Sequence, residues 1–218
     1  YLGFPNYGDE YKVMGLSPYG KATMVDRVKE VLKFRKNGLF ELNPKFFKHF
    51  KEGVAMSWES GSPIIDNIYS DQFEEVFGPA RKKGDPLEQH HMDLAASVQE
   101  VTEQLIFTLC EELHKMTGLK NLCVTGGVAQ NSVANGKILR NTSFERLFVP
   151  PAGHDAGTSV GSALYYLHHM NGEQRPAYKN QPYTGIQFSS DEIEQILLAQ
   201  LQDLGYTLDN PWCCHDYP

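Results

Sequence analysis

Cysteine is scarce in this sequence, and the four present form no framework. Cys110 falls in a helical pattern, Cys123 in an apolar run, and Cys213 adjoins Cys214. Adjacent cysteines make strained disulfide partners, so the thiols read as reduced, which points to the cytoplasm rather than a secreted scaffold. Cys213-Cys214-His215 lacks the spaced pairs of a zinc site. Apolar runs of membrane-spanning length, about 18 residues, are missing too, as is a secretory leader. Basic excess is also lacking: 20 Lys and Arg stand against 27 Asp and Glu, and the basic residues are scattered. A nucleic-acid surface needs them clustered to neutralise phosphates. Arg81-Lys82-Lys83 reads as a solvated loop.

What is present centres on residues 120–161. Leu122-Cys123-Val124 stops at Gly126-Gly127 and gives way to a helical pattern with Val133, Ile138 and Leu139. Leu147-Phe148-Val149 stops at Pro150-Pro151 and leads past Asp155 into a small-residue helix. Two buried strands, each followed by a turn and a helix, predict a βαβ unit in a parallel or mixed sheet. Ligands of such sheets sit outside the strands' carboxyl ends, where both turns fall. Glycines at 126 and 127 let backbone N–H groups approach an anion at a positive helix end, or simply supply the φ a tight turn needs. Asp155 reads equally as a helix N-cap and as a metal-holding carboxylate.

The rest of the chain is read as scaffold. Thr23 opens a helix with Val25, Val28 and Leu32 on one face. Asn37-Gly38 turns into a strand at 39–42 that Asn43-Pro44 stops. Aromatic residues scattered from Phe46 to Phe77 suggest an elaboration lying on the core. From Asp93, Leu94, Val98, Val101, Leu105, Leu109, Leu113 and Met116 recur at helical spacing as a core stripe ended by Gly118. His90-His91, as neighbours, do not share a metal. Ser189 and Glu192 form a capping box.

Four blocks, in order, resemble one family. Gly8-Asp-Glu-Tyr-Lys-Val-Met-Gly-Leu-Ser-Pro-Tyr-Gly20, Phe77-Gly-Pro-Ala-Arg81, Gln89-His-His-Met-Asp-Leu-Ala-Ala-Ser97, and Thr125-Gly-Gly-Val-Ala-Gln-Asn131 with 151–164 are similar to O-carbamoyltransferases of the nodulation-protein-U and cephalosporin carbamoyltransferase family. The likeness runs from residue 8 to about 200. It implies an α/β fold: an actin/sugar-kinase-like (ribonuclease H-like) mixed sheet flanked by helices, with an irregular insertion. Residues 1–172 would form that lobe with the insertion at about 38–88, residues 173–182 a linker, and 183–218 the start of a YrdC-like domain. The chain reads as a piece of something longer.

The resemblance further implies ATP and carbamoyl phosphate as substrates, a carbamoyl-adenylate intermediate, and transfer to a small-molecule hydroxyl acceptor beside a divalent metal, iron. Glu10, Lys12, Gly126, Gly127, Val128, Asn131 and Gly157 are implied to bind nucleotide, and Asp155 metal. In the family the other metal ligands and the acceptor-deprotonating histidine lie upstream of Tyr1, so the partner needed is the rest of the full-length chain. Alone, this chain is expected neither to transfer carbamoyl groups nor to hold iron tightly. Two alternatives share the fold: a hydrogenase-maturation or tRNA threonylcarbamoyl transferase relative, and a non-catalytic nucleotide-binding module.

Overall fold

The computed structural model describes residues 1–175 and 186–203. The chain divides into two compact units at Pro176/Ala177. The expected linker lies largely outside the described residues, and so do Cys213, Cys214 and His215.

One helix, α5, contributes to both hydrophobic clusters of the first unit. The elements ahead of it are α1 (Glu10–Leu16), α2 (Val25–Val31), β1 (Leu32–Phe34), β2 (Phe40–Leu42), α3 (His49–Glu52), β3 (Met56–Glu59), β4 (Ser62–Ile65) and α4 (Asp71–Phe77); α5 is Gln89–Thr117. It starts four residues earlier than the apolar stripe suggests, because Glu88 and His91 close a reciprocal capping box. The His91 ring accepts from the Glu88 N–H at 3.0 Å, and His90 meets the Phe77 carbonyl at 2.6 Å. Both histidines are therefore spent on structure. Gly118, at φ 64°, ends the helix in a left-handed cap.

The amino-terminal half of α5 anchors the larger core. Leu94, Ala95 and Val101 pack with Leu2, Leu16, Val28, Val31, Phe46 and Phe77. A chain of polar contacts draws the amino-terminal block onto it. Asp93 accepts from Lys21 N–H at 2.8 Å, and the buried Ser97 hydroxyl accepts from Met24 N–H at 2.9 Å. Gly20 lies so close that a Cβ would sit 2.0 Å from the Met92 carbonyl oxygen. The carboxyl-terminal half, through Cys110, packs with Leu122, Ile138 and Phe144 in a second cluster.

Four expectations change here. Leu32 leaves the α2 face and starts β1, which pairs antiparallel with β2 (Leu32↔Leu42). Helical spacing carried Leu32, but the strand partner beyond the turn decides its conformation. Phe46 and Phe77 are buried in the main core, Phe77 at 1% exposure, rather than resting upon it. The stripe on α5 is buried only in part: Leu109, Leu113 and Met116 are exposed, Met116 at 81%. Arg81 is also more than a loop residue, since it donates to the carbonyls of Leu2 (2.9 Å) and Asp85 (2.6 Å).

The predicted βαβ unit forms, but its strands are not buried as expected: of β5 only Leu122 is buried, and Phe148 of β6 is exposed. β5 (Asn121–Cys123) pairs parallel with β6 (Arg146–Phe148) in the register Leu122↔Leu147, with α6 (Ser132–Asn141) as the crossover. α7 (Gly157–Tyr165) follows and continues through a wider π-type turn to Met170. The sheets are three separate strand pairs, β1-β2, β3-β4 and β5-β6. The described fold is thus mixed α/β. In the second unit, α8 (Ser190–Asp203) begins at the predicted capping box: Ser189 N–H donates to Glu192 at 2.7 Å, and Glu192 N–H to Ser189 Oγ at 3.3 Å. No described helix is long and apolar enough to cross a membrane.

Candidate functional site

Both turns at the carboxyl end of the β5-β6 pair are tied together. Gly126 N–H donates to the Gly153 carbonyl at 2.6 Å, and Thr125 Oγ1 donates to the same oxygen at 2.8 Å. Gly126 has φ 98° and ψ 171°, a region essentially closed to residues bearing a Cβ. Gly127–Gln130 then form one 3₁₀ turn pinned by buried Ala129. Gly127 and Val128 open that turn, so their N–H groups have no acceptor inside it. Among the described residues neither donates outside it. Val128 is 67% exposed, leaving this edge open.

Asn131 follows and caps α6, its Oδ1 accepting from Ala134 N–H at 3.0 Å. Its amide is also paired face to face with Gln99 of α5, 3.1 Å in each direction. Gln99 Nε2 donates in turn to Glu103 Oε1 at 2.9 Å, and Lys137 of α6 donates to both Glu103 oxygens at 2.8 and 2.7 Å. Glu103 is only 4% exposed. Burying a carboxylate is costly unless it is paired and hydrogen-bonded, and here it is both.

The second turn is looser. Gly157 packs against it: a Cβ there would sit 2.0 Å from the Ala152 carbonyl oxygen. Gly157 is thus needed for close backbone approach, whatever else it does. The Asp155 carbonyl accepts from Thr158 Oγ1 at 2.6 Å, but its exposed carboxylate makes no hydrogen bond among the described residues. Ala156 holds the cap position of α7, with no side-chain cap bond. The N-cap alternative for Asp155 therefore does not hold. No three His, Cys, Asp or Glu side chains gather to hold a metal among the described residues. A lone exposed carboxylate does not by itself fit iron, which takes several protein ligands.

Glu10 and Lys12 lie on α1, apart from these turns. Glu10, exposed at the helix start, borders a cavity of about 420 Å³ walled by Phe4, Val13, Phe77, Leu94 and Val98. No residue of either turn lines it. Lys12 Nζ pairs with buried Asp9 at 2.7 Å, and Asp9 also accepts from Asn6 N–H at 3.2 Å. The Lys12 hydrogen bond holds the Asp9 carboxyl below the usual carboxylate range and raises the Lys12 ammonium in turn. Asp9 is therefore the structural member of this block. α1 instead reaches the helix after the first turn, since Ser132 Oγ at the start of α6 contacts Met14 Sδ at 3.9 Å. The sequence reading missed Gln99, Glu103 and Lys137. Gln99 and Glu103 stand one helical turn apart on α5, but Glu100, Thr102 and Gln104 beside them are polar too, so no local signal singled them out.

A parallel strand pair with a glycine turn and an aspartate turn meeting at one end marks the class as mixed α/β. Residues 1–164 match the family described as carbamoyltransferase N-terminus, and the chain belongs to that family. It is 37% identical over 203 residues to an uncharacterised protein of Synechocystis sp., covering 90% of this chain and 31% of that one. It is 35% identical over 202 residues to nodulation protein NolNO of Sinorhizobium fredii (91% and 26%), and 38% identical over 167 residues to nodulation protein NolO of Bradyrhizobium diazoefficiens (75% and 26%). The chain thus spans at most about a third of the length of these relatives.

Proposed function

We propose that this chain is the nucleotide-facing part of a cytoplasmic O-carbamoyltransferase with an actin-like core, acting on ATP, carbamoyl phosphate and a small-molecule hydroxyl. The observation that carries the proposal is the 2.6 Å bond from Gly126 N–H to Gly153, which joins the two family-matched turns into one ledge. On that ledge the N–H groups of Gly127 and Val128 are available to phosphate oxygens and to charge developing during transfer. In the reaction, water cleaves carbamoyl phosphate to carbamate and phosphate; a carbamate oxygen then attacks the α-phosphorus of ATP, forming carbamoyl-adenylate as the α–β bond breaks and pyrophosphate leaves. The acceptor oxygen then attacks the carbamoyl carbon, loses its proton, and AMP leaves. Asp155 is proposed as one carboxylate of an iron site completed by the rest of the longer protein, where the metal would polarise the carbamoyl oxygen. Glu10 and Lys12 are proposed to meet ribose and phosphate.

The test is carbamoyl-phosphate-dependent release of pyrophosphate from ATP by the full-length protein. The expected result is release that needs both substrates and falls on Asn131→Leu. A well-folded protein that binds ATP but releases nothing would make the chain a non-catalytic module.

A further inference from the structure

We infer that Gln99 and Glu103 are positioning residues for the candidate site, acting through Asn131; the inference rests on the nucleotide-facing role proposed above. Donors and acceptors alternate along Lys137–Glu103–Gln99–Asn131, and this fixes each amide. The Glu103 carboxylate, held between Lys137 and Gln99, accepts only, so the Gln99 atom 2.9 Å away must be its NH₂ group. That turns Gln99 Oε1 toward Asn131, where it must meet the Asn131 NH₂ at 3.1 Å. Asn131 Oδ1 is thereby left facing Gln99 Nε2 and the Ala134 N–H. The two ends agree: a carboxylate fixes the network from α5, and a backbone N–H fixes it from α6. Neither amide is free to flip.

The consequence is a committed polarity. Asn131 Oδ1 is consumed by two donors, whereas its Nδ2 carries two protons and spends one on Gln99 Oε1. One donor remains on the residue that closes the glycine turn. It suits an acceptor such as a phosphate oxygen and does not suit a donor. The network also ties the turn to α5, the helix that anchors both cores, across 32 residues of sequence. Glu103 is a carboxylate at 4% exposure, and a buried charge needs a reason; here it sets an orientation two residues removed from itself.

The test is steady-state kinetics of ATP-dependent pyrophosphate release in the full-length protein, with melting temperature measured alongside. Gln99→Met keeps the volume and removes both bonds to Asn131. The expected result is a rise of about tenfold in KM for ATP with kcat changed less than about twofold, the scale set by one hydrogen bond lost from an oriented donor. Val101→Ala, buried on the same helix but outside the network, is the destabilising control and should lower the melting temperature without moving KM. Glu103→Gln keeps the shape and relaxes the orientation; its KM should rise by about threefold, and it stands in should Gln99→Met fail to fold. If the KM of folded Gln99→Met, or of Glu103→Gln in its place, matches wild type, or if Val101→Ala raises KM equally, the positioning role is overturned. A wild-type protein that releases no pyrophosphate instead overturns the function on which it rests.

Discussion

The two turns at the sheet end differ in how they are held. Residues 126–131 are anchored on three sides: Gly126 to Gly153, Ala129 into the interior, and Asn131 to α5 through Gln99. Residues 153–157 are tied to the first turn only through the Gly153 carbonyl, which accepts from Gly126 N–H and Thr125 Oγ1, and the helix they open, α7, has no buried residue. A ligand-binding turn that is rigid before its ligand arrives spends less of its binding free energy on ordering. The first turn has that preorganisation within this chain. The second presents an exposed carboxylate and an exposed helix, so what it does depends on what packs beside it.

The largest expected effect falls on the contact that sets the second turn. Gly157→Ala should destabilise near the upper end of the ~1–3 kcal/mol that overpacking costs, because the obstructing atom is a backbone oxygen and cannot swing aside. Urea unfolding of the full-length protein measures it, and a midpoint at the wild-type value would show that the close approach to Ala152 relaxes freely. Next comes Gly126→Ala. Nothing crowds its Cβ position, so the cost is conformational alone, about 2 kcal/mol for a residue forced to φ 98°, ψ 171°. If Gly126→Ala proved costlier than Gly157→Ala, backbone strain would outrank packing at this sheet end.

How much of this could be read beforehand depended on the range of the interactions. The β5–α6–β6 unit was legible because each apolar run ends at its own glycine or proline signal, and the Ser189/Glu192 box because its partners are three residues apart. Leu32 misled because the spacing from Val25 and Val28 fits a helix, while the pairing that overrides it lies across a turn. Leu113 and Met116 misled because periodicity reports a face and not whether anything covers it. Of the candidate site, the glycine turn and the carboxylate were visible. The partner of Asn131 was not, since Gln99 precedes it by 32 residues and no local pattern connects them.

Asp155 should separate stability from activity. Its carboxylate makes no hydrogen bond among the described residues, so Asp155→Asn should leave stability within about 0.5 kcal/mol of wild type. Carbamoyl transfer should fall by more than the ~10–100-fold that follows loss of an outer-shell metal partner, since the proposal makes Asp155 a direct ligand. Equal transfer rates for Asp155→Asn and wild type would remove the carboxylate from the chemistry.

The sharpest contrast with Gly126 is expected one residue later. Gly127 has ordinary negative φ, and a Cβ built on it meets nothing within 4 Å. Neither conformation nor packing therefore demands glycine at this position. Alanine there should be neutral or stabilise by up to ~1 kcal/mol, by narrowing the unfolded ensemble. If the space above residue 127 is where phosphate approaches, the same methyl group stands between the ligand and the N–H groups of Gly127 and Val128. ATP affinity should then fall by about tenfold, the equivalent of one lost hydrogen bond. A melting curve and an ATP titration on Gly127→Ala decide between the two uses of this glycine pair. Unchanged affinity with unchanged stability would mean that only Gly126 is required, as the bend of the chain, and that the ligand lies elsewhere.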